Sequence, residues 1–244
     1  MSDVTRHYTE YKQTLGKDTY SMKSVGDTSR IRFLYQWIKK YVPEGQKILD
    51  VGCGDMHLAT LLPEYEWTGI DLLPQLSADK AVAHDLMKQP YPFEDGVFAA
   101  AVCSEVLEHV WDPLIIHREV KRVLKAQGTY IISTPNYDHA DYLLSHYRAL
   151  LFDPRYMHSY EHIRQYNLAV HQELLTATGF DVVEHTGADA QYSAFFREAR
   201  EVLVDVLKGQ FDVQIDAHGA DQILGLMFKN HSHTIMAVCK PRSA

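Results

Sequence analysis

The chain has no run of about 18 consecutive apolar residues and no basic-then-apolar stretch near its start, which predicts neither a membrane span nor an export signal and so a cytoplasmic protein. Cysteine is scarce. Cys53, Cys103 and Cys239 are odd in number, widely scattered and without metal-ligand spacing, so they are read as reduced thiols, two of them in the core. Positive charge is also in short supply: 24 Lys and Arg stand against 32 Asp and Glu, a formal net charge of -8. That balance does not suit a broad phosphate-binding surface, and nucleic acid is not the expected partner. Internal repeats and low-complexity tracts are missing as well.

What is present is enough apolar material for a large core, 46% of 244 residues, and a pattern of short apolar runs alternating with helical stretches. A helix is predicted from about Thr28 to Tyr41, capped by Thr28 or Ser29, with Ile31, Leu34, Trp37, Ile38 and Tyr41 at helical spacing and Pro43 closing it. Strands are predicted at KILDV (47–51), WTGI (67–70), AVAH (81–84), VFAAAVC (97–103) and GTYIIST (128–134), with a helix before the last of these ended by Gly128. Later come a helix from Leu168 to Thr178 stopped by Gly179, the strand FDVVEHT, a helix from Ala194 to Lys208 and the strand HTIMAVCK. Continuous apolar strands separated by helices imply a doubly wound α/β domain with a mostly parallel sheet. It is expected over residues 28–244, preceded by a lid segment, 1–27, with cap or insertion regions at about 137–167 and 187–232. The connection between Asp71 and AVAH has only about ten residues, near the lower limit for a parallel crossover, and is expected to be clipped or irregular.

The stretch ILDVGCGDM, residues 48–56, ends a predicted strand in an acid and then turns with almost no side chains. In a doubly wound sheet, ligands bind at the carboxyl ends of strands, and Gly52 and Gly54 permit close ligand approach. Asp50 sits inside an apolar strand, where a carboxylate without a partner is costly. Asp71 ends the next strand 21 residues on, the position that grips ribose hydroxyls. A dinucleotide fingerprint wants a third glycine where this chain has His57, and no phosphate-cradling Gly-Lys-Ser/Thr loop is present. An adenosine-type ligand without phosphates remains.

These residues resemble the class I S-adenosylmethionine-dependent methyltransferases of the small-molecule type. The likeness continues through TGIDLLP, HDLMKQPYPFEDGVF, AAAVCSEVLEHVWDP, REVKRVLKAQGTYIISTPN and ELLTATGFDVVEH, and covers roughly residues 45–185. It implies a Rossmann-like seven-stranded sheet with helices on both faces and S-adenosylmethionine as cofactor, with S-adenosylhomocysteine as product. It also implies roles for single residues. Asp50 and the backbone of Gly52, Cys53 and Gly54 would approach the methionine moiety, Asp71 with Leu72 the ribose, Asp85 with Leu86 the adenine, and Ser104 and Glu105 would line the floor beneath the sulfonium.

Methyl transfer from a sulfonium is an in-line displacement that asks the protein for alignment and, for a hydroxyl acceptor, a base. His109, in SEVLEHV, and the later His162 are the candidate catalytic residues, histidine titrating near neutrality. The expected reaction moves a methyl group to an oxygen, ahead of nitrogen or carbon, of a small-molecule or sugar-containing acceptor. Glu105, Glu108 and His109, with His158 and His162, also resemble the metal-holding set of small-RNA 2'-O-methyltransferases, which gives a second reading, although no metal site is expected. A methyltransferase-like binding module without catalysis is the third. Base methylation of DNA is set aside, because SEVL stands where that class places its Asn/Asp-Pro-Pro-aromatic turn.

Overall fold

Every strand of this pattern joins one sheet in a computed structural model of the protein, which describes residues 29–72, 80–139, 162–189, 194–228 and 232–242. The strands are β1 (Lys47–Val51), β2 (Glu66–Asp71), β3 (Ala81–Ala83), β4 (Phe98–Ser104), β5 (Leu124–Pro135), β6 (Phe180–Ala188) and β7 (Thr234–Pro241). Their order is β3-β2-β1-β4-β5-β7-β6. The first five run parallel, and β7 lies antiparallel between β5 and β6. Successive residues face opposite layers: Leu49, Val51, Ala101, Cys103 and Ile132 enter one core, and Ile48, Ala100, Val102 and Ile131 the other. All three cysteines are buried, one more than the two expected in the core.

Helix α1 (Ser29–Tyr41) covers the second layer with Ile31, Leu34, Trp37 and Ile38, all buried. Full burial of Leu34 and Ile38 stabilises the fold by about 1.5–3 kcal/mol each. A short α2 (His57–Leu61) follows the glycine turn. On the opposite face lie α3 (Pro113–Val123) and α4 (Leu168–Ala177), packed through Ile116, Val120 and Leu175. Asp112 caps α3, its carboxylate accepting from Leu114 N at 3.0 Å ahead of Pro113 in the first turn.

The predicted end of α3 at Gly128 is corrected. The helix stops at Val123, and Leu124 already pairs with Phe98 in β5. Between that pair and Ala100↔Thr129, β5 advances five residues (124 to 129) while β4 advances two (98 to 100), so a bulge takes up three. Leu124 is buried and pulls the chain out of the helix to reach the core. A Cβ on Gly128 would stand 2.8 Å from the Lys125 carbonyl oxygen, so the glycine serves the bulge.

The late insertion supplies α5 (Ala194–Phe211) and α6 (Ala217–Met227), the second of which the sequence pattern did not predict. Asp216 caps α6, accepting from Gly219 N at 2.7 Å, and the helix packs on β6 and α1. The lid segment 1–27, the crossover at 73–79 and residues 140–161 lie outside the described residues. No described helix is long and apolar enough to cross a membrane.

Candidate active site

The strand order reverses direction between β1 and β4, and the carboxyl ends of these strands are where a doubly wound sheet takes its ligand. Gly52 follows β1 with φ +71°, and its N–H donates to Ile70 O at 2.8 Å, as does that of Cys53 at 3.3 Å. Gly54 N donates to Asp71 Oδ2 at 3.0 Å. The turn is therefore tied to the end of β2 by its own amides. A Cβ on Gly52 would stand 2.4 Å from Val106 Cγ2, because Val106 occupies the space a side chain would need. Around Gly54, φ +49°, that space is open. The Cys53 side chain belongs to the core, where a Cβ on Gly69 would come within 2.6 Å of its Sγ, so Cys53 can offer a ligand only its backbone.

Three carboxylates line this rim. Burial, with the charges of Asp71 and Asp55 adding to it, pushes Asp50 up to about 7. A cation beside it would restore its charge. Asp71 is buried at the tip of β2, and its carbonyl accepts from His84 N at 2.8 Å, which brings the end of β3 alongside. Asp85 shapes its own turn, accepting from Met87 N at 3.0 Å. Leu86 puts its side chain into the core and its carbonyl on Tyr91 Oη at 3.3 Å. Leu72 is half-buried just past Asp71.

The other rim begins where β4 ends. Ser104 Oγ lies 2.8 Å from Ser133 Oγ, which donates to Glu105 Oε1 at 2.9 Å. Glu105 adopts φ +57° and is held further by its N–H on Ser133 O at 3.0 Å. Its Oε2 pairs with Arg30 Nη1 at 3.3 Å, and Arg30 Nε pairs with Asp189 Oδ2 at 3.3 Å. Asp189 Oδ1 also accepts from Arg30 N at 2.9 Å and from Ser29 Oγ at 3.3 Å, so the start of α1 is fastened to the end of β6.

Next to this network, Glu108 and His109 share a single 3₁₀ turn, Leu107–His109. Glu108 is fully buried. Its Oε2 accepts from Thr134 Oγ1 at 3.0 Å, and its Oε1 lies 3.6 Å from His109 Nε2. Burial and then the charge of Glu105 hold its carboxyl well above the ordinary range, against the pull of Thr134 and Arg30. The rings of His109 and His162 stand 5.1 Å apart, edge to face. Glu108, His109 and His162 each offer a ligand atom within 4.8 Å of the others. The two candidate histidines, distant in sequence, are thus neighbours; His158 lies outside the described residues. Sequence reasoning missed Arg30, Ser133 and Asp189, since a basic residue in a first helical turn and an acid after a strand carry no mark of pairing with each other.

The family described as methyltransferase domain matches residues 27–185, more than half of the chain. A ubiquinone biosynthesis O-methyltransferase from Xanthomonas campestris pv. campestris is 36% identical over 114 residues, 41% of this chain and 48% of that one. The chain spans about half the length of the curated relatives it matches. Among solved structures, a 4+2 cyclase is similar with a TM-score of 0.56 and 16% identity, over 88% of this chain and 81% of that one. A Haemonchus contortus phosphoethanolamine N-methyltransferase in complex with S-adenosylmethionine is similar with a TM-score of 0.53 and 16% identity, over 87% of this chain and 53% of that one. These two likenesses concern the fold. With the family match and the strand order together, the chain belongs to the class I S-adenosylmethionine-dependent methyltransferases.

Proposed function

We propose that the protein transfers the methyl group of S-adenosylmethionine to a hydroxyl oxygen of a small-molecule acceptor. The observation that carries this reading is the placement of His109 and His162 beside Glu108, past the end of β4, the strand that pairs with β1, where Asp50 precedes the last residue, while Asp71 ends β2. The donor's ammonium suits Asp50, because a cation beside its buried carboxyl would shift it further toward the charged form near neutral pH. Asp71 accepts from the ribose hydroxyls, Asp85 with Leu86 meets the adenine, and the Gly52–Gly54 backbone lies along the methionine. Ser104 and Glu105 form the floor under the sulfonium. The acceptor oxygen attacks the methyl in line as the C–S bond breaks, and S-adenosylhomocysteine leaves. Alignment supplies most of the rate, and the His109–His162 group relieves the acceptor oxygen of its proton. Relatives named O-methyltransferases support oxygen as the acceptor atom.

The test is calorimetric binding of S-adenosylmethionine and S-adenosylhomocysteine to the wild type and Asp71→Ala, followed by methyl transfer from labelled donor to a panel of hydroxyl and amine compounds. Micromolar binding and label on a hydroxyl are expected. Folded wild type that binds neither ligand would sink the reading.

A further inference from the structure

Helix α4 buries two side chains against the sheet, Leu175 and, where a second apolar residue would be expected, His171. His171 is fully buried, and its Nδ1 lies 3.3 Å from Nε2 of His185 on β6, the rings 5.5 Å apart. Neither histidine takes part in the proposed methyl transfer. We propose that the His171–His185 contact is a proton-operated latch, closed while its facing nitrogens share one proton and opened by acid, which holds α4 on β6 and through α4 keeps His162 beside Glu108 and His109.

The contact needs one N–H between two imidazoles, since a nitrogen that donates must face one that accepts. A neutral or singly charged pair meets that need; with both rings charged, two N–H groups point at each other. The groups packed around His171 give an added proton no counter-charge. His185 faces it from β6 and His117 lies near it on α3, and burial, with the charges of both adding to it, holds His171 well below the usual histidine range. His117 is buried as well, neither nitrogen having a hydrogen-bond partner among the described residues. The tyrosines nearby carry no charge: the Tyr166 ring stands 6.4 Å from His171, and that of Tyr130 on β5 stands 5.8 Å from His117, against the buried thiols of Cys103 and Cys239. The acids of these elements are engaged elsewhere. Glu119 of α3 accepts from Tyr91 N at 2.7 Å and from Arg122, Glu184 of β6 pairs with Lys40 of α1, Asp181 pairs with Arg242, and Glu173 of α4 is exposed. Of the cations on α3, Arg118 is exposed, and Lys121 brings its ammonium over Gly179 at the turn from α4 to β6, which adds positive charge.

Helix α4 reaches the His109–His162 group through the residues just before it. Asn167 caps the helix, accepting from Val170 N at 2.9 Å, and its carbonyl accepts from His171 N at 2.9 Å. Tyr166 O accepts from Tyr137 N at 2.6 Å, its hydroxyl donates to Leu107 O at 3.4 Å, and Arg164 N donates to Glu108 O at 3.2 Å. With two buried side chains, α4 belongs to the low-stability end of the fold, and its opening exposes the latch to water. An exposed histidine takes up its proton from water below about 6.5, so each pH unit below that favours opening about tenfold through His171 alone.

The bearing of the latch on activity rests on the proposed methyl transfer, but amide hydrogen exchange needs neither donor nor acceptor and tests the latch apart from it. Exchange of the full-length protein would be read by mass spectrometry at about pH 8 and about pH 5, on either side of the ordinary histidine pKa, and corrected for intrinsic rates. Protection of α4 and of residues 162–167 is expected to fall on acidification by at least about tenfold relative to β1 and β4. In His171→Gln, which offers His185 a donor or an acceptor but binds no proton, the fall is expected to shrink to within about twofold. Circular dichroism checks that the variant is folded, and His171→Leu stands in if it is not. A wild-type fall within about twofold overturns the latch, as does one shared by β1 and β4 or one that persists in the folded variant. Loss of protection in α4 that leaves residues 162–167 unchanged overturns the coupling to His162.

Discussion

The rim proposed to hold the donor, called the donor rim, lies at the ends of β1, β2 and β3 and is held by amides and carboxylates that are neighbours in a parallel sheet. The rim proposed to take the acceptor, called the acceptor rim, lies at the ends of β4, β5 and β6 and is held by side chains from distant parts of the chain: Arg30 meets Glu105 and Asp189, and His162 meets Glu108 and His109. A rim made of adjacent strand ends needs only a short stretch of sequence with the right glycines and acids. One made of long-range ion pairs depends on the whole domain having folded. Loss of an acidic side chain should therefore strike the first rim as lost ligand affinity, whereas loss of an ion-pair partner should strike the second as lost stability.

Arg30→Met gives the largest expected effect. It leaves the buried carboxylate of Asp189 and the partly exposed one of Glu105 without their cation, at about 3–4 kcal/mol, or roughly 10 °C in Tm. Thermal unfolding that shifts by less than about 2 °C would show that the acceptor rim does not hang on this pair. Next comes Gly52→Ala, which adds a methyl group against Val106 at a positive φ. It should cost about 2–4 kcal/mol, while Gly54→Ala, strained but uncrowded, costs about 1 kcal/mol. Combining Gly52→Ala with Val106→Ala should recover the steric part, and a double-mutant cycle with no coupling would remove Val106 from the account. Asp71→Ala is expected to weaken S-adenosylmethionine by one to two factors of ten, about 1.4 kcal/mol each, with little change in Tm. A collapse in Tm instead would make Asp71 a structural acid.

Between about pH 4 and 7 two buried groups pull stability in opposite directions. Asp50 keeps its proton up to about 7 in the folded chain but loses it near 3.8 when unfolded. Its contribution therefore drops as pH rises through that window, and Asp50→Asn removes the drop. His117, buried in α3, has its pKa lowered by burial from 6.5 to about 4, so the unfolded state takes up a proton first as pH falls. Its contribution is complete above 6.5 and is lost on going down toward 4, and His117→Leu removes that loss. Chemical denaturation at several pH values checks both signs. Calorimetry should also find weaker S-adenosylmethionine binding below pH 7 in the wild type, and a flat profile would separate Asp50 from the ligand's ammonium.

The donor rim was legible in the sequence because its information is local. ILDVGCGDM carries strand, acid and turn together, and Asp71 follows at a fixed interval. Six of the seven strands fell close to their predicted limits, since burial on both faces leaves uninterrupted apolar runs. β5 began early because Leu124 has a helical neighbourhood but a partner in Phe98, and only tertiary pairing decides between the two. Helix α6 escaped because AHGADQ has little apolar periodicity and a glycine inside it. His109 and His162 were grouped only through the resemblance to a metal-holding set, because no spacing rule contains the contact of Arg164 N with Glu108 O that registers their segments.

Asp189, which caps α1, also has a bearing on the order of synthesis. A helix that leaves the ribosome early waits for an acid 160 residues later before its first turn is complete. Throughout that interval the nascent chain can assemble β1, β2 and β3 with their carboxylates, while the Arg30 side of the site has nothing to close on. Chains interrupted before residue 189 would carry the rim proposed to hold the donor and lack the anchor of the other.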